Sequence, residues 1–141
     1  MPEAAWCAMR VPPDVAALPE VAAKLAVLGA ANRVPEDVLQ QLDIAVDELL
    51  ANVIEHGRPD VDIELQIWID DEAVTIEIVD AGPSFNPFSR PPPDTGASLD
   101  DRVPGGLGVH FVRSLMDQYE WHRRDNRNVT RIRKKRSATN T

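Results

Sequence analysis

VDIELQIWIDDEAVTIEIVD, residues 61–80, alternates apolar and polar side chains in two successive runs. Val61, Ile63, Leu65, Ile67 and Ile69 are interleaved with Asp62, Glu64, Gln66, Trp68 and Asp70. After the acidic Asp70 to Glu72, Val74, Ile76 and Ile78 are interleaved with Thr75, Glu77 and Val79. Successive strand side chains point to opposite faces, so this spacing predicts an antiparallel hairpin with one buried face. Something else in the chain must cover that face.

Upstream, the period is helical. Val15, Leu18, Val21, Ala22, Leu25 and Leu28 recur at helical spacing behind Asp14, which can cap a first helix that fades between Gly29 and Asn32. A second helix starts near Pro35, with Glu36 and Asp37 suited to its first turn. It runs through Leu39, Leu42, Val46, Leu49 and Val53 to a stop at Gly57. Residues 5–11, a short apolar run halted by Pro12 and Pro13, read as an edge strand.

Downstream, residues 81–105 hold six of the twelve prolines and few apolar side chains. That is about twice the length at which structureless loops become uncommon, which points to a functional loop. Gly106 to Met116 reads as a helix with Val109, Val112, Leu115 and Met116 inward. Tyr119 to Arg123 and Val129 to Lys134 read as a last strand pair joined by an Asp-Asn-Arg-Asn turn. The order β-α-α-β-β-loop-α-β-β predicts one α+β domain over residues 1–141, a two-layer α/β sandwich with helices on one face of a mainly antiparallel sheet.

Composition narrows the function. With 43% hydrophobic residues in 141, the chain can bury one core. Cys7 is the single cysteine, so an internal disulfide or a cysteine-rich zinc site is excluded. No apolar run approaches the length of a membrane span, and Pro2 and Glu3 stand where a signal peptide needs basic residues, so a soluble cytoplasmic protein is expected. The net charge of −8 divides into 7 basic and 22 acidic residues over 1–122, and 8 basic and 1 acidic over 123–141. A basic end invites nucleic acid, but it has few aromatics and the acidic body would repel a phosphate backbone. A solvated last strand with a frayed end is expected instead, without direct nucleic-acid binding.

Three places carry chemistry. Glu48 and Asn52 lie four apart on one helix stripe that His56 continues. They fit an exposed helix margin, or an amide oxygen offered to Mg²⁺ beside a carboxylate that acts on a hydroxyl. Asp80-Ala81-Gly82-Pro83 ends the hairpin, as a simple turn or as a carboxylate accepting from an exocyclic amine with Gly82 giving close backbone approach. Gly105-Gly106-Leu107-Gly108 opens the third helix, as a hinge or as a phosphate cradle of backbone N–H groups. Neither a Walker-type loop nor a dinucleotide-binding fingerprint is present.

Their order is more specific than any one of them. DELLANVIEHG (47–57), IVDAGPSFNP (78–87) and GGLGVHFVRSLMD (105–117) resemble the N box and the two glycine boxes of the GHKL ATPases. Within that superfamily they are similar to the anti-sigma-factor serine-protein kinases of the RsbW/SpoIIAB type, over about residues 5–135. The resemblance implies a Bergerat ATP-binding fold, with ATP and Mg²⁺ as cofactors. It implies that Asn52 is the Mg²⁺ ligand, Glu48 the catalytic base, and Asp80 the reader of the adenine amine, with Gly82 in the same box. It further implies an ATP lid over about 88–104 and a nucleotide-binding run of Gly105, Gly106, Leu107, Gly108 and Val109. The lid departs from the simplest family pattern in being proline-rich and acidic, with only Arg90 and Arg102 as obvious phosphate-facing cations. His56 and Arg90 receive no assigned role.

A kinase of this family phosphorylates a serine or threonine of a STAS-domain anti-sigma-factor antagonist, which competes with a sigma factor for the kinase. A PP2C-type phosphatase resets the antagonist. The resemblance also implies a homodimer, for which the apolar first strand with Trp6 offers a contact. A sensor histidine kinase would carry a phosphoacceptor helix pair upstream, and topoisomerase, mismatch-repair or chaperone ATPases a transducer domain, for which 141 residues leave little room. The alternative from a different class is a catalytically silent ATP-binding module that regulates a partner by contact alone. Retention of both Glu48 and Asn52 argues for the kinase. The tail, about 136–141, is expected to be disordered.

Overall fold

The computed structural model describes residues 5–58, 60–89 and 106–136. The elements are β1 (Ala5–Val11), α1 (Leu18–Ala31), α2 (Glu36–His56), β2 (Ile63–Ile69), β3 (Ala73–Asp80), α3 (Gly106–Leu115), β4 (Gln118–Arg124) and β5 (Arg127–Lys135). Short 3₁₀ turns at Val15–Ala17 and Pro87–Ser89 lie between them. The strands form one sheet in the order β1-β2-β3-β5-β4, and every pair is antiparallel. The fold is the expected α+β two-layer sandwich.

The hairpin alternation sets the layers. Ile63, Leu65, Ile67 and Ile69 of β2, with Val74, Ile76 and Ile78 of β3, point to one side and are buried. Leu42, Val46, Leu49 and Leu50 of α2, with Val112 of α3 and Met116 just after it, cover them in one continuous cluster. Leu42 is fully enclosed. Leu42→Ala is therefore expected to cost about 2–5 kcal/mol in urea denaturation, transfer loss plus cavity. The opposite face of the sheet carries Glu64, Trp68, Glu77 and Arg131 and is only half-covered, with Arg131 over the Trp68 ring at 5.9 Å.

The turns explain the registers. Asp70 accepts from the backbone of Glu72 and Ala73 at 2.8 and 2.9 Å, pinning the β2–β3 connection. Those N–H groups, Ala73 first, hold its carboxyl below the usual aspartate range. Asp125 and Asn126 both have positive φ, 53° and 62°, the signature of a two-residue type I′ hairpin turn. The expected four-residue turn is thus two residues long, and Asn128 falls inside β5 opposite Asp80.

Two helix details differ from the periodicity. Asp14 does cap, accepting from Ala16 N at 3.0 Å, but what it caps is the 3₁₀ turn. The change in pitch rotates Val15 outward, where it is 61% exposed. On α2 the buried stripe runs through Val38, Leu42, Ala45, Val46, Leu49, Leu50 and Asn52, while Val53 is half-buried. Asn52 therefore sits within the buried face rather than at its margin.

Candidate functional site

The buried polar side chains among the described residues are four: Asn52, Asp80, Asn128 and Thr130. Desolvating an amide, a carboxylate or a hydroxyl costs free energy unless each is bonded, so their distribution is informative. Asp80, Asn128 and Thr130 lie together on β3 and β5, with Asp80 opposite Asn128 and Ile78 opposite Thr130 on the helix-facing side. Asn52 is on the buried face of α2, one turn before His56.

The end of α2 is fastened to the exit from β3. His56 stacks on Phe85 with ring centroids 4.6 Å apart. Gly57 and Gly82 meet backbone to backbone: a Cβ built on Gly82 would stand 2.7 Å from Gly57 Cα and 2.9 Å from Asp80 Oδ1. Gly57 itself ends α2 with its N–H on Val53 O at 2.6 Å, in an extended rather than a left-handed conformation. Its lack of a side chain serves space, since a Cβ there would lie 2.5 Å from Val53 O. The C-terminal end of α2, with His56 and Gly57, thus meets the Asp80–Gly82 corner.

Asp80 is held by one oxygen. Its Oδ1 accepts from Gly82 N at 2.9 Å and from Asn128 Nδ2 at 3.1 Å. No hydrogen bond from a described residue reaches Oδ2. The side-chain amide of Asn52 and the hydroxyl of Thr130, 5% and 4% exposed as residues, likewise make no side-chain hydrogen bond to the described residues. The fully enclosed side-chain atom without a partner among the described residues is Gln41 Oε1, elsewhere on α2. At the border of the core, an acceptor carboxylate oxygen, an amide and a hydroxyl therefore retain bonding capacity. Hard oxygen donors of this kind suit Mg²⁺ that keeps water and phosphate in its shell, and no group of three His, Cys, Asp or Glu among the described residues forms a self-contained metal cage.

The remaining site positions are placed as follows. Glu48 is half-buried, one turn before Asn52 on the same stripe. Gly106, Leu107, Gly108 and Val109 form the first turn of α3, which packs against α2, and Val109 is buried. Arg90, Arg102 and Gly105 lie outside the described residues, as does most of the expected lid. Its first two positions, Phe88 and Ser89, sit in the 3₁₀ turn. Phe88 packs on Tyr119 at 4.9 Å between centroids, and its carbonyl accepts from Arg113.

Sequence reasoning missed Asn128, Thr130 and Arg123. Arg123 donates to Gly82 O at 2.8 Å and Asn128 Oδ1 at 3.1 Å. Asp125-Asn126 read as a two-residue turn would have started β5 at Arg127 and paired Arg123 with Asn128, but the alignment of Asn128 with Asp80 across β3 and β5 had no local signal.

The site thus sets a buried acid leaving β3 and a buried amide on α2 within a helical layer packed on an antiparallel sheet. Residues 11–134 match the histidine kinase-like ATPase domain, and the chain belongs to that family. Within it, the chain is similar to the serine/threonine-protein kinase BtrW of Bordetella bronchiseptica, with 33% identity over 88 residues, 60% of this chain and 61% of that protein. It is also similar to the serine-protein kinase RsbW of Listeria monocytogenes, with 29% identity over 103 residues, 67% of this chain and 66% of the relative. The alignments thus span just under two thirds of each of these relatives. The RsbU and RsbW domains of Rv1364c from Mycobacterium tuberculosis share the fold, at a TM-score of 0.67 and 15% identity, over 95% of this chain and 33% of theirs.

Proposed function

We propose that the chain is a cytoplasmic protein serine/threonine kinase of the partner-switching kind. It binds Mg-ATP, phosphorylates a serine or threonine of a STAS-domain anti-sigma-factor antagonist, and sequesters a sigma factor or an equivalent target. The observation that carries this reading is the unspent bonding capacity of Asp80 Oδ2, Asn52 and Thr130, all on residues no more than 6% exposed at the border of the core. The names of the relatives support the kinase reading.

Each residue then has a task. Asp80 Oδ2 accepts from the 6-amino group of adenine, with Thr130 as a polar neighbour. Asn52 supplies an oxygen ligand to Mg²⁺, whose chemistry is to neutralise charge on the phosphates. Glu48, half-buried on the same stripe, takes the proton of the acceptor hydroxyl. The backbone N–H groups of Gly105, Gly106, Leu107, Gly108 and Val109 at the opening of α3 meet the phosphates, with Arg102 as a lid cation. Phosphoryl transfer needs alignment and charge compensation more than covalent help, which is what such a rigid frame provides.

Homodimerisation through β1 completes the proposal. Trp6 is 60% exposed on this edge strand, its indole N–H held by Gln66 Oε1 at 3.1 Å. A PP2C-type phosphatase acting on the same antagonist would close the circuit.

The test is transfer of labelled γ-phosphate from Mg-ATP to a purified STAS-domain protein whose gene neighbours that of the chain. Label on a serine or threonine supports the kinase. Saturable ATP binding with no transfer to any such protein would favour the silent binding module.

A further inference from the structure

Asn128 is 3% exposed and spends its amide completely. Its Nδ2 donates to Asp80 Oδ1 at 3.1 Å and Pro83 O at 2.8 Å, with Gly82 O at 3.5 Å. Its Oδ1 accepts from Phe85 N at 3.1 Å, Trp121 Nε1 at 3.2 Å and Arg123 Nη1 at 3.1 Å. Exchanging the two amide ends would turn Nδ2 toward three N–H donors and Oδ1 toward three oxygens. The donor set therefore fixes the orientation of the amide.

The consequence falls on Asp80. A carboxylate on a strand end ordinarily rotates about its last torsion and offers either oxygen. Here two donors, Gly82 N–H and Asn128 Nδ2, converge on Oδ1. Rotation would break both bonds in a buried place, so Oδ2 keeps one direction. We propose that Asn128 is the positioning residue for base selectivity, fixing Asp80 so that Oδ2 alone meets the 6-substituent of a purine nucleotide. This rests on the reading of Asp80 as the base-recognising acid.

The chemistry of the ligand follows. A 6-amino group donates to Oδ2, whereas a 6-oxo group sets one acceptor against another. A fixed acceptor rejects the oxo base strongly, because the carboxylate cannot turn aside. A loosened one discriminates less. Arg123 is an outer prop of the same arrangement, exposed on the edge strand β4 and bonded to both Asn128 Oδ1 and Gly82 O.

The experiment is calorimetric titration of Mg-ATP and Mg-ITP into the full chain, wild type, Asn128→Ala and Arg123→Gln, with circular dichroism as the check on folding. Inosine differs from adenosine in carrying a 6-oxo group for the amine. The expected result is a wild type that prefers ATP and an Asn128→Ala variant whose ATP-to-ITP affinity ratio falls about tenfold. Arg123→Gln is expected to lower the ratio about two- to threefold. An unchanged ratio in folded Asn128→Ala overturns the proposal, and so does equal loss of both nucleotides, which marks a scaffold residue. If Asn128→Ala does not fold, Arg123→Gln decides: a wild-type ratio there overturns it. A wild type that binds both nucleotides equally refutes the Asp80 reading itself, and this inference falls with it.

Discussion

Glu48→Gln is expected to lower phosphate transfer by about 10²–10⁴-fold while Mg-ATP affinity stays within about threefold of wild type. The substitution keeps the size of the side chain and removes its ability to take a proton. Glu48 is half-buried on the stripe that continues to Asn52 and His56, so its carboxylate belongs to the same helix face as the buried amide. A base contributes to the transition state rather than to nucleotide binding, which is why the two readouts should separate. Single-turnover transfer and calorimetry on the same preparation measure both. Transfer that continues at the wild-type rate would remove Glu48 from the chemistry and leave it as a helix-margin acid.

The second large effect is expected at Gly82. Gly82→Ala would set a methyl carbon 2.7 Å from Gly57 Cα and 2.9 Å from Asp80 Oδ1. Neither neighbour yields easily: one is backbone at the end of α2, the other a carboxylate oxygen holding two hydrogen bonds. Overpacking of this kind costs about 1–3 kcal/mol, and relief must move α2 or Asp80. Both a lower Tm and weaker Mg-ATP binding are expected in one variant. A folded variant with wild-type melting and binding would show that the corner is looser than its backbone contact implies.

The legible part of the molecule was what local pattern determines. Alternation over residues 61–80 specified a half-buried hairpin because a strand has period 2, and no helix tolerates that spacing of isoleucines. The stripe on α2 was legible in kind but offset, so Val53 was placed in the core and Asn52 beside it, whereas the buried position is that of Asn52. A polar residue inside an apolar face breaks the pattern that finds the face. The insertion of β5 between β3 and β4 left no local trace, since pairing of Asp80 with Asn128 joins residues 48 apart. That pairing builds the network around Asp80, and so the hub residue was invisible while the acid it supports was not. Gly57 was found as a helix stop, but its contact with Gly82 depends on the packing of α2 against the β3 exit. Glycine in a sequence announces freedom; only the fold shows whether φ or space is what is used.

The charge asymmetry also resolves in the fold. The basic residues from Arg123 onward are largely strand residues, several of them engaged: Arg127 with Glu64 at 3.0 Å, Arg133 with Glu72 at 3.5 Å, and Arg136 with Asn32 O at 2.6 Å. These contacts tie the basic end of the chain to the acidic body that precedes it, while β5 itself is an inner strand with Asn128, Val129, Thr130 and Ile132 buried.

The central claim is that a nucleotide lies between the buried face of α2 and the Asp80 corner, and calorimetric titration of Mg-ATP tests it most directly. The full chain would be titrated as wild type, Asn52→Ala and Asp80→Asn, with melting curves to establish folding. Saturable binding to the wild type, weakened at least about tenfold by each substitution in a folded protein, is the result expected. No binding to the wild type, or binding that both variants retain undiminished, would contradict it.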